Sequence, residues 1–204
     1  MKTYLILFGF LLLGVASHAQ FFKGSMYGGF NFSHVRGDYM TGYNKPGVHL
    51  GFRVAYPFSE SLDFSMAMAY TQKGSRRTYD ANGFPRSGTW HLLRANYIEV
   101  PITAHYRVFK NMFELQGGLS ISRLIGSYLS YTAGSGDVGQ DFIRNNEYAI
   151  QFGASYRWTE KTHVYLRHAT SLFSVGKDRF STLLSPYSRG TLHFVAMLGI
   201  EKKF

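Results

Sequence analysis

The sequence predicts an all-β fold, an eight-stranded antiparallel transmembrane β-barrel with short periplasmic turns and long extracellular loops. Three observations predict it. Runs of two-residue alternation recur along the chain, the connections between them are alternately short and long, and the charges within the runs lie opposite the apolar rows. A soluble lipocalin-like barrel also has eight antiparallel strands, but its apolar rows face inward. A membrane barrel is built the other way round, with lipid outside and a polar interior.

The first element is a leader. MKTYLILFGFLLLGVASHAQ carries one positive charge at Lys2, an apolar run from Tyr4 to Val15, and small residues at Ser17 and Ala19 placed for cleavage. The apolar run is too short for a bilayer-spanning helix, which needs about 20 residues. Residues 1–19 are therefore expected to be a signal peptide and 20–204 an outer-membrane β-barrel domain. No later stretch has the apolar length of a transmembrane helix.

Alternation places strands near 24–35, 46–58, 61–74, 95–108, 112–127, 146–158, 161–173 and 190–204. SES at 59–61, FKNM at 109–112 and TEKT at 159–162 make tight connections after the second, fourth and sixth strands. The remaining connections are longer and rich in Gly, Ser, Asn, Asp and Arg, as in 75–94 and 174–189. This asymmetry is the layout of periplasmic turns and extracellular loops.

NYIEVPITAHYRV at 96–108 shows the inversion most clearly. Ile98, Val100, Ile102, Ala104, Tyr106 and Val108 form one face, and Tyr97, Glu99, Pro101, Thr103, His105 and Arg107 the other. In the second strand Val48, Leu50, Phe52, Val54 and Tyr56 oppose His49, Gly51 and Arg53. Across the chain Arg53, Glu99, Arg107, Glu114, Gln116, Arg157, Arg167 and Glu201 lie opposite apolar rows. Acids and bases in similar number on one side suit a narrow lumen filled by paired side chains, since buried ions are costly unless paired. The expected lumenal polar network is thus Arg53, Glu99, Arg107, Glu114, Arg157, Arg167 and Glu201, a rigidifying plug rather than a wide diffusion pore.

Aromatic girdles mark the two interfaces of such barrels. Tyr56, Phe58, Tyr106, Phe113, Tyr156, Trp158 and Phe204 are expected at the short-turn rim. Tyr70, Tyr97, Tyr128 and Tyr148 are expected at the other. Phe204 at the tip of the last strand resembles the signal read by the outer-membrane insertion machinery during assembly.

GGFNFSHVRGD (28–38), GVHLGFRVAYPFSESLDFSMAMAYTQKGS (47–75) and NYIEVPITAHY (96–106) carry a family resemblance. They are similar to the outer-membrane β-barrel family common in Bacteroidota, which includes PorT-like proteins. A glycine-rich first strand, a "YxxKG" ending to the third (Tyr70 to Gly74) and an "NYxExP" opening to the fourth (Asn96 to Pro101) are its marks. The resemblance implies a barrel and an outer-membrane location. Through PorT it also raises a role as an accessory of type IX protein secretion, with secretion components as partners.

Composition narrows the chemistry. The sequence contains no cysteine, which excludes disulfides, thiolate zinc sites and a cysteine nucleophile. Histidines 34, 49, 91, 105, 163, 168 and 193 are scattered, so neither a metal nor another cofactor is expected. Twenty-two Lys and Arg against 12 Asp and Glu give a net charge of +10, about +9 once Lys2 leaves with the leader. No nucleic-acid recognition element accompanies that charge. Arg36, Lys45, Lys73, Arg76, Arg77, Arg86, Arg94, Lys177, Arg179 and Arg189 are placed in the loops. Of these, Arg76, Arg77, Arg86, Arg94, Lys177 and Arg179 are candidates for contact with lipopolysaccharide phosphates at the outer leaflet.

One pattern points to chemistry. In YLRHATSLF (165–173), His168 and Thr170 share the lipid-facing parity of Val164, Leu166 and Leu172. Lipid A deacylases are eight-stranded barrels with a lipid-facing His-x-Ser pair. Here threonine replaces the nucleophile, and the acid has to come from elsewhere, with Asp178 the candidate. The expected function is a small non-enzymatic barrel with a structural, binding or accessory role at the cell surface. A narrow porin-like solute channel and a deacylase-like esterase are the alternatives.

Overall fold

The structure is a computed structural model and describes residues 22–36, 42–76, 90–131, 134–136, 143–177 and 191–204. Eight long strands build the wall: β1 (Lys23–Arg36), β2 (Lys45–Pro57), β3 (Leu62–Arg76), β4 (Trp90–Val108), β5 (Phe113–Tyr131), β7 (Asn146–Arg157), β8 (Thr162–Ser171) and β9 (Leu192–Lys203). A three-residue strand, β6 (Gly134–Gly136), lies against the end of β5. Each long strand pairs antiparallel with its neighbour in sequence, and β1 pairs with β9 from Ser25↔Lys203 to Arg36↔Leu192. The sheet therefore closes on itself, with every long strand paired on both sides, the condition for a sheet to stand in hydrocarbon. The expected signal peptide lies outside the described residues.

Why the sheet faces outward with its apolar side is visible strand by strand. In β2 enclosed and exposed residues alternate without a break from Lys45 to Tyr56. His49, Gly51, Arg53 and Ala55 point inward, whereas Leu50, Phe52 and Val54 are exposed, Phe52 to 63%. Phe30, Met66, Met68, Ile102, Leu119, Ile121, Phe152, Leu166, Leu198 and Ile200 extend this apolar belt around the wall. In water such a belt would be a severe aggregation liability; against lipid it is the surface that holds the barrel in place.

Two of the short connections are tight hairpins of one design. Ser59 Oγ accepts the Leu62 amide at 3.1 Å, and Thr159 Oγ1 accepts the Thr162 amide at 3.1 Å. Phe58 and Trp158 donate their amides to the Leu62 and Thr162 carbonyls, each at 2.9 Å. The β4–β5 turn differs, with Phe109, Lys110 and Asn111 all at positive φ (50°, 56° and 65°). At the other end β3, β4 and β5 run several residues further than alternation indicated, to Arg76, from Trp90 and to Tyr131. A register shift at Asn96/Tyr97 leaves Ile125 as the extra residue of β5 and reverses its parity, a β-bulge of the kind common near barrel rims.

The aromatic girdle forms at the short-turn rim. Tyr56, Phe58, Tyr106, Phe113, Tyr156, Trp158 and Phe204 are all exposed. Phe113 and Tyr156 pack with ring centroids 5.3 Å apart. At the opposite rim Tyr128 and Tyr148 are exposed, but Tyr97 is fully enclosed and corrects the expected girdle. It shares the inward parity of Glu99, two residues on.

Candidate functional site

The lumen of an eight-stranded barrel is just wide enough to be filled by side chains, and here it is filled in layers. Nearest the short turns, the Arg53 guanidinium contacts the Glu201 carboxylate, lies 3.9 Å from Glu114 and reaches the His105 ring at 3.1 Å. His105 in turn lies 2.9 Å from Glu114, with Ser65 and Thr103 hydroxyls 2.8 and 2.7 Å from its Nε2. Ser25 donates to Glu201 at 2.6 Å, Arg167 approaches Glu201 at 3.3 Å, and Lys203 donates to Glu114 at 3.2 Å.

An aromatic layer follows. The Arg167 guanidinium stacks over Tyr165 at 4.0 Å and Tyr27 at 4.7 Å from the ring centroids. The Tyr165 hydroxyl meets His49 Nε2 from across the lumen. Above it Lys73 bridges Glu99 at 3.3 Å and Glu147 at 3.4 Å, with the Tyr97 ring 5.2 Å away. Ser171 donates to Glu147 at 2.7 Å, His193 lies 3.2 Å from it, and Gln151 donates to Glu99. A cap of Val35, Leu93, Ala95, Leu124, Leu129 and Ile143 closes this end.

The electrostatics balance. Arg53, Arg167, Lys203 and Lys73 are matched by Glu114, Glu201, Glu99 and Glu147, each within ion-pair reach of a partner. Lys203 is half-buried at the rim, and the other charges, taken out of water, persist only because pairing and hydrogen bonds offset the desolvation cost. The arrangement is a set of cross-lumen struts tying opposite walls together.

Of the predicted network, Arg53, Glu114, Arg167 and Glu201 come together in the short-turn half, and Glu99 lies in the other half with Lys73. Arg107 sits at the rim instead, 2.5 Å from Asp63 and donating to the Ser59 and Glu60 carbonyls at 3.2 and 2.8 Å. Arg157 is a correction: it is exposed, because it closes β7 where the wall gives way to the turn. Lys45 and Lys73, assigned to loops, are enclosed, because β2 begins at Lys45 and β3 runs on to Arg76, with both side chains on the inward parity. Glu147, His49, His105, His193 and Tyr165 were missed as network members. Their signal was present in the unbroken inward parity of β2, β4, β7, β8 and β9.

On the outer rim Arg76 and Arg94 are exposed on β3 and β4, and Lys177 is half-buried. Arg77, Arg86 and Arg179 lie outside the described residues, as does Asp178. Phe204 is exposed and donates its amide to the Gly24 carbonyl at 3.0 Å, so the last residue is tied to the first strand.

Among the described residues His168 and Thr170 have separate partners, and the candidate acid Asp178 lies outside them. His168 Nε2 lies 2.9 Å from the Tyr43 hydroxyl, and its ring stacks 5.1 Å from Phe152. Thr170 donates its hydroxyl to the His193 carbonyl at 3.3 Å.

A closed antiparallel sheet, apolar without and charge-paired within, defines an integral membrane β-barrel. The chain belongs to the outer membrane protein beta-barrel domain family, whose family model matches residues 18–176. It is a small protein of the bacterial outer membrane. Among solved structures it is similar to Ail, the attachment invasion locus protein of Yersinia pestis, at 17% identity and TM-score 0.54, covering 89% of this chain and 98% of that one. Neisserial surface protein A aligns at 9% identity and TM-score 0.48, covering 90% and 97%. The N-terminal barrel of Pseudomonas aeruginosa OprF aligns at 11% and 0.44, covering 89% and 97%. At these identities the likeness to Ail is one of fold. No curated protein matches the chain.

Proposed function

We propose that this barrel is a non-enzymatic protein of the cell surface, acting as a structural, binding or accessory element, with its lumen sealed and its outer rim in contact with lipopolysaccharide. The observation that carries the reading is the electroneutral network from Arg53 to Lys73, lying beneath the apolar cap around Leu129 and Ile143. A lumen occupied in this way offers solutes neither a continuous water path nor a fixed field to draw ions. Arg36, Arg76 and Arg94, exposed near the ends of their strands, stand where guanidinium groups can hold headgroup phosphates. The separate engagements of His168 and Thr170 favour a non-enzymatic role over acyl hydrolysis.

Reconstitution into planar bilayers tests the sealed lumen. Small or no steady currents are expected. Large, regular steps would replace this reading with that of a porin-like solute channel. Affinity capture from the native outer membrane tests the accessory role: recovery of secretion components would specify it, and recovery of the barrel alone would favour the structural one.

A further inference from the structure

The wall is not level at its long-connection end. The last pair between β5 and β7 is Arg123↔Asn146, yet β5 continues to Tyr131 with β4 paired beside it as far as Trp90. Beside this raised hairpin lies a cleft of about 490 Å³ whose lining includes Arg123, Arg144, Asn146, Tyr148, Phe173 and Lys177.

We propose that this cleft is a phosphate site for an outer-leaflet lipid headgroup, with Tyr148 and Phe173 receiving the start of the acyl chain. The proposal rests on the reading that the outer rim contacts lipopolysaccharide. It moves the principal contact from the β3 and β4 rim to residues that alternation alone does not single out.

Three features carry it. The first is height. Phe113 belongs to the short-turn girdle and Arg123 lies ten residues further along β5. At about 3.3 Å per residue and a tilt of about 40°, that is a rise of about 25 Å, the height of a barrel's apolar band. With the short turns in the periplasm, Arg123 stands at the outer headgroup level.

The second is charge. Arg123, Arg144 and Lys177 line the cleft, and among the described lining residues the one carboxylate is Glu147, which is turned inward to Lys73, Ser171 and His193. Arg123 and Arg144 make no ion pair among the described residues, and both are exposed. They are nonetheless held: Arg123 Nη1 donates to Asn146 Oδ1 at 2.8 Å, and Arg144 Nε donates to the Gly176 carbonyl at 3.4 Å. Guanidinium groups fixed in this way suit the oxygens of a phosphate.

The third is the floor. Tyr148 and Phe173 form an edge-to-face pair with centroids 6.1 Å apart, both exposed on the lipid side. Ile121 lies beside Tyr148 as its register partner, and Ile150 below it continues the apolar wall. Positive charge above and aromatic surface below match a lipid with a phosphorylated headgroup rather than a free anion.

The test is titration of the purified chain in non-ionic detergent, read by native mass spectrometry, with folding checked by gel mobility of the unheated barrel. The probes are bis-phosphorylated lipid A, the same lipid dephosphorylated, and inorganic phosphate. The phosphorylated lipid should be retained at least roughly tenfold better than either alternative. R123Q/R144Q should lose at least roughly tenfold in that retention, as expected for charge-assisted hydrogen bonds. Arg157→Gln, exposed at the opposite rim, should bind as the parent does, and R76Q/R94Q should lose less than R123Q/R144Q. If the double variant fails to fold, Arg144→Gln, outside the strands, serves in its place. Retention unchanged in R123Q/R144Q but lost in R76Q/R94Q would overturn the cleft and leave the broader reading standing. No retention of lipid A by the parent would overturn both. Equal retention of inorganic phosphate would overturn the lipid assignment.

Discussion

The ammonium of Lys73, on β3, lies 3.4 Å from the carboxylate of Glu147, on β7, which is three strands away around the ring. The pair spans the lumen and is completely enclosed, and Glu99 shares the same ammonium at 3.3 Å. Among the described residues Lys73 is therefore the cation that holds both carboxylates in this half of the barrel.

Lys73→Met should destabilise the barrel by about 3–5 kcal/mol, because two buried carboxylates lose their counter-charge. Replacing all three partners in K73M/E99Q/E147Q should recover much of the loss, since no unpaired charge is then left. Urea titration of folding into lipid vesicles measures both. A single variant as stable as the parent would mean that the strut contributes nothing.

Gly74 has φ 147°, and a Cβ there would collide with the Leu93 carbonyl group. Gly74→Ala should therefore cost about 1–3 kcal/mol through backbone strain, with the β3–β4 pairing disturbed beside it. The same urea titration checks it, and an unchanged midpoint would show that β3 accommodates a side chain at this point.

Orientation follows from the hairpins. Protease added to intact cells should cut within 77–89 or 178–190 and spare the turns at 58–61 and 158–161, whose amides are tied into their hairpins. Mass mapping of the fragments reads the outcome. Cleavage confined to the short turns would invert the barrel in the membrane.

Lipid A from cells with and without the protein should carry the same acyl chains, because Thr170 and His168 are each engaged elsewhere. His168→Ala should instead lower stability by about 0.5–1.5 kcal/mol through the lost contacts with Phe152 and Tyr43. Loss of an acyl chain dependent on both residues, seen by mass spectrometry of lipid A, would establish the esterase.

The wall is legible in the sequence alone. Period-two alternation assigns each strand residue to one of two faces, and the placement of Arg53, Glu99 and Glu201 opposite apolar rows shows which face meets lipid. Eight strands and the position of every short turn follow from that pattern alone. The tertiary structure decided who meets whom inside. Parity places Lys73 and Glu147 on the lumenal face, but their contact depends on how far each strand is staggered when β1 closes against β9, a property of the whole ring. The strand ends were hidden for a related reason. Beyond the apolar belt no lipid enforces alternation, so the long arms of β4 and β5 read as loop. Only cross-strand hydrogen bonding carries the wall along these arms and leaves the notch that Arg123 and Arg144 line.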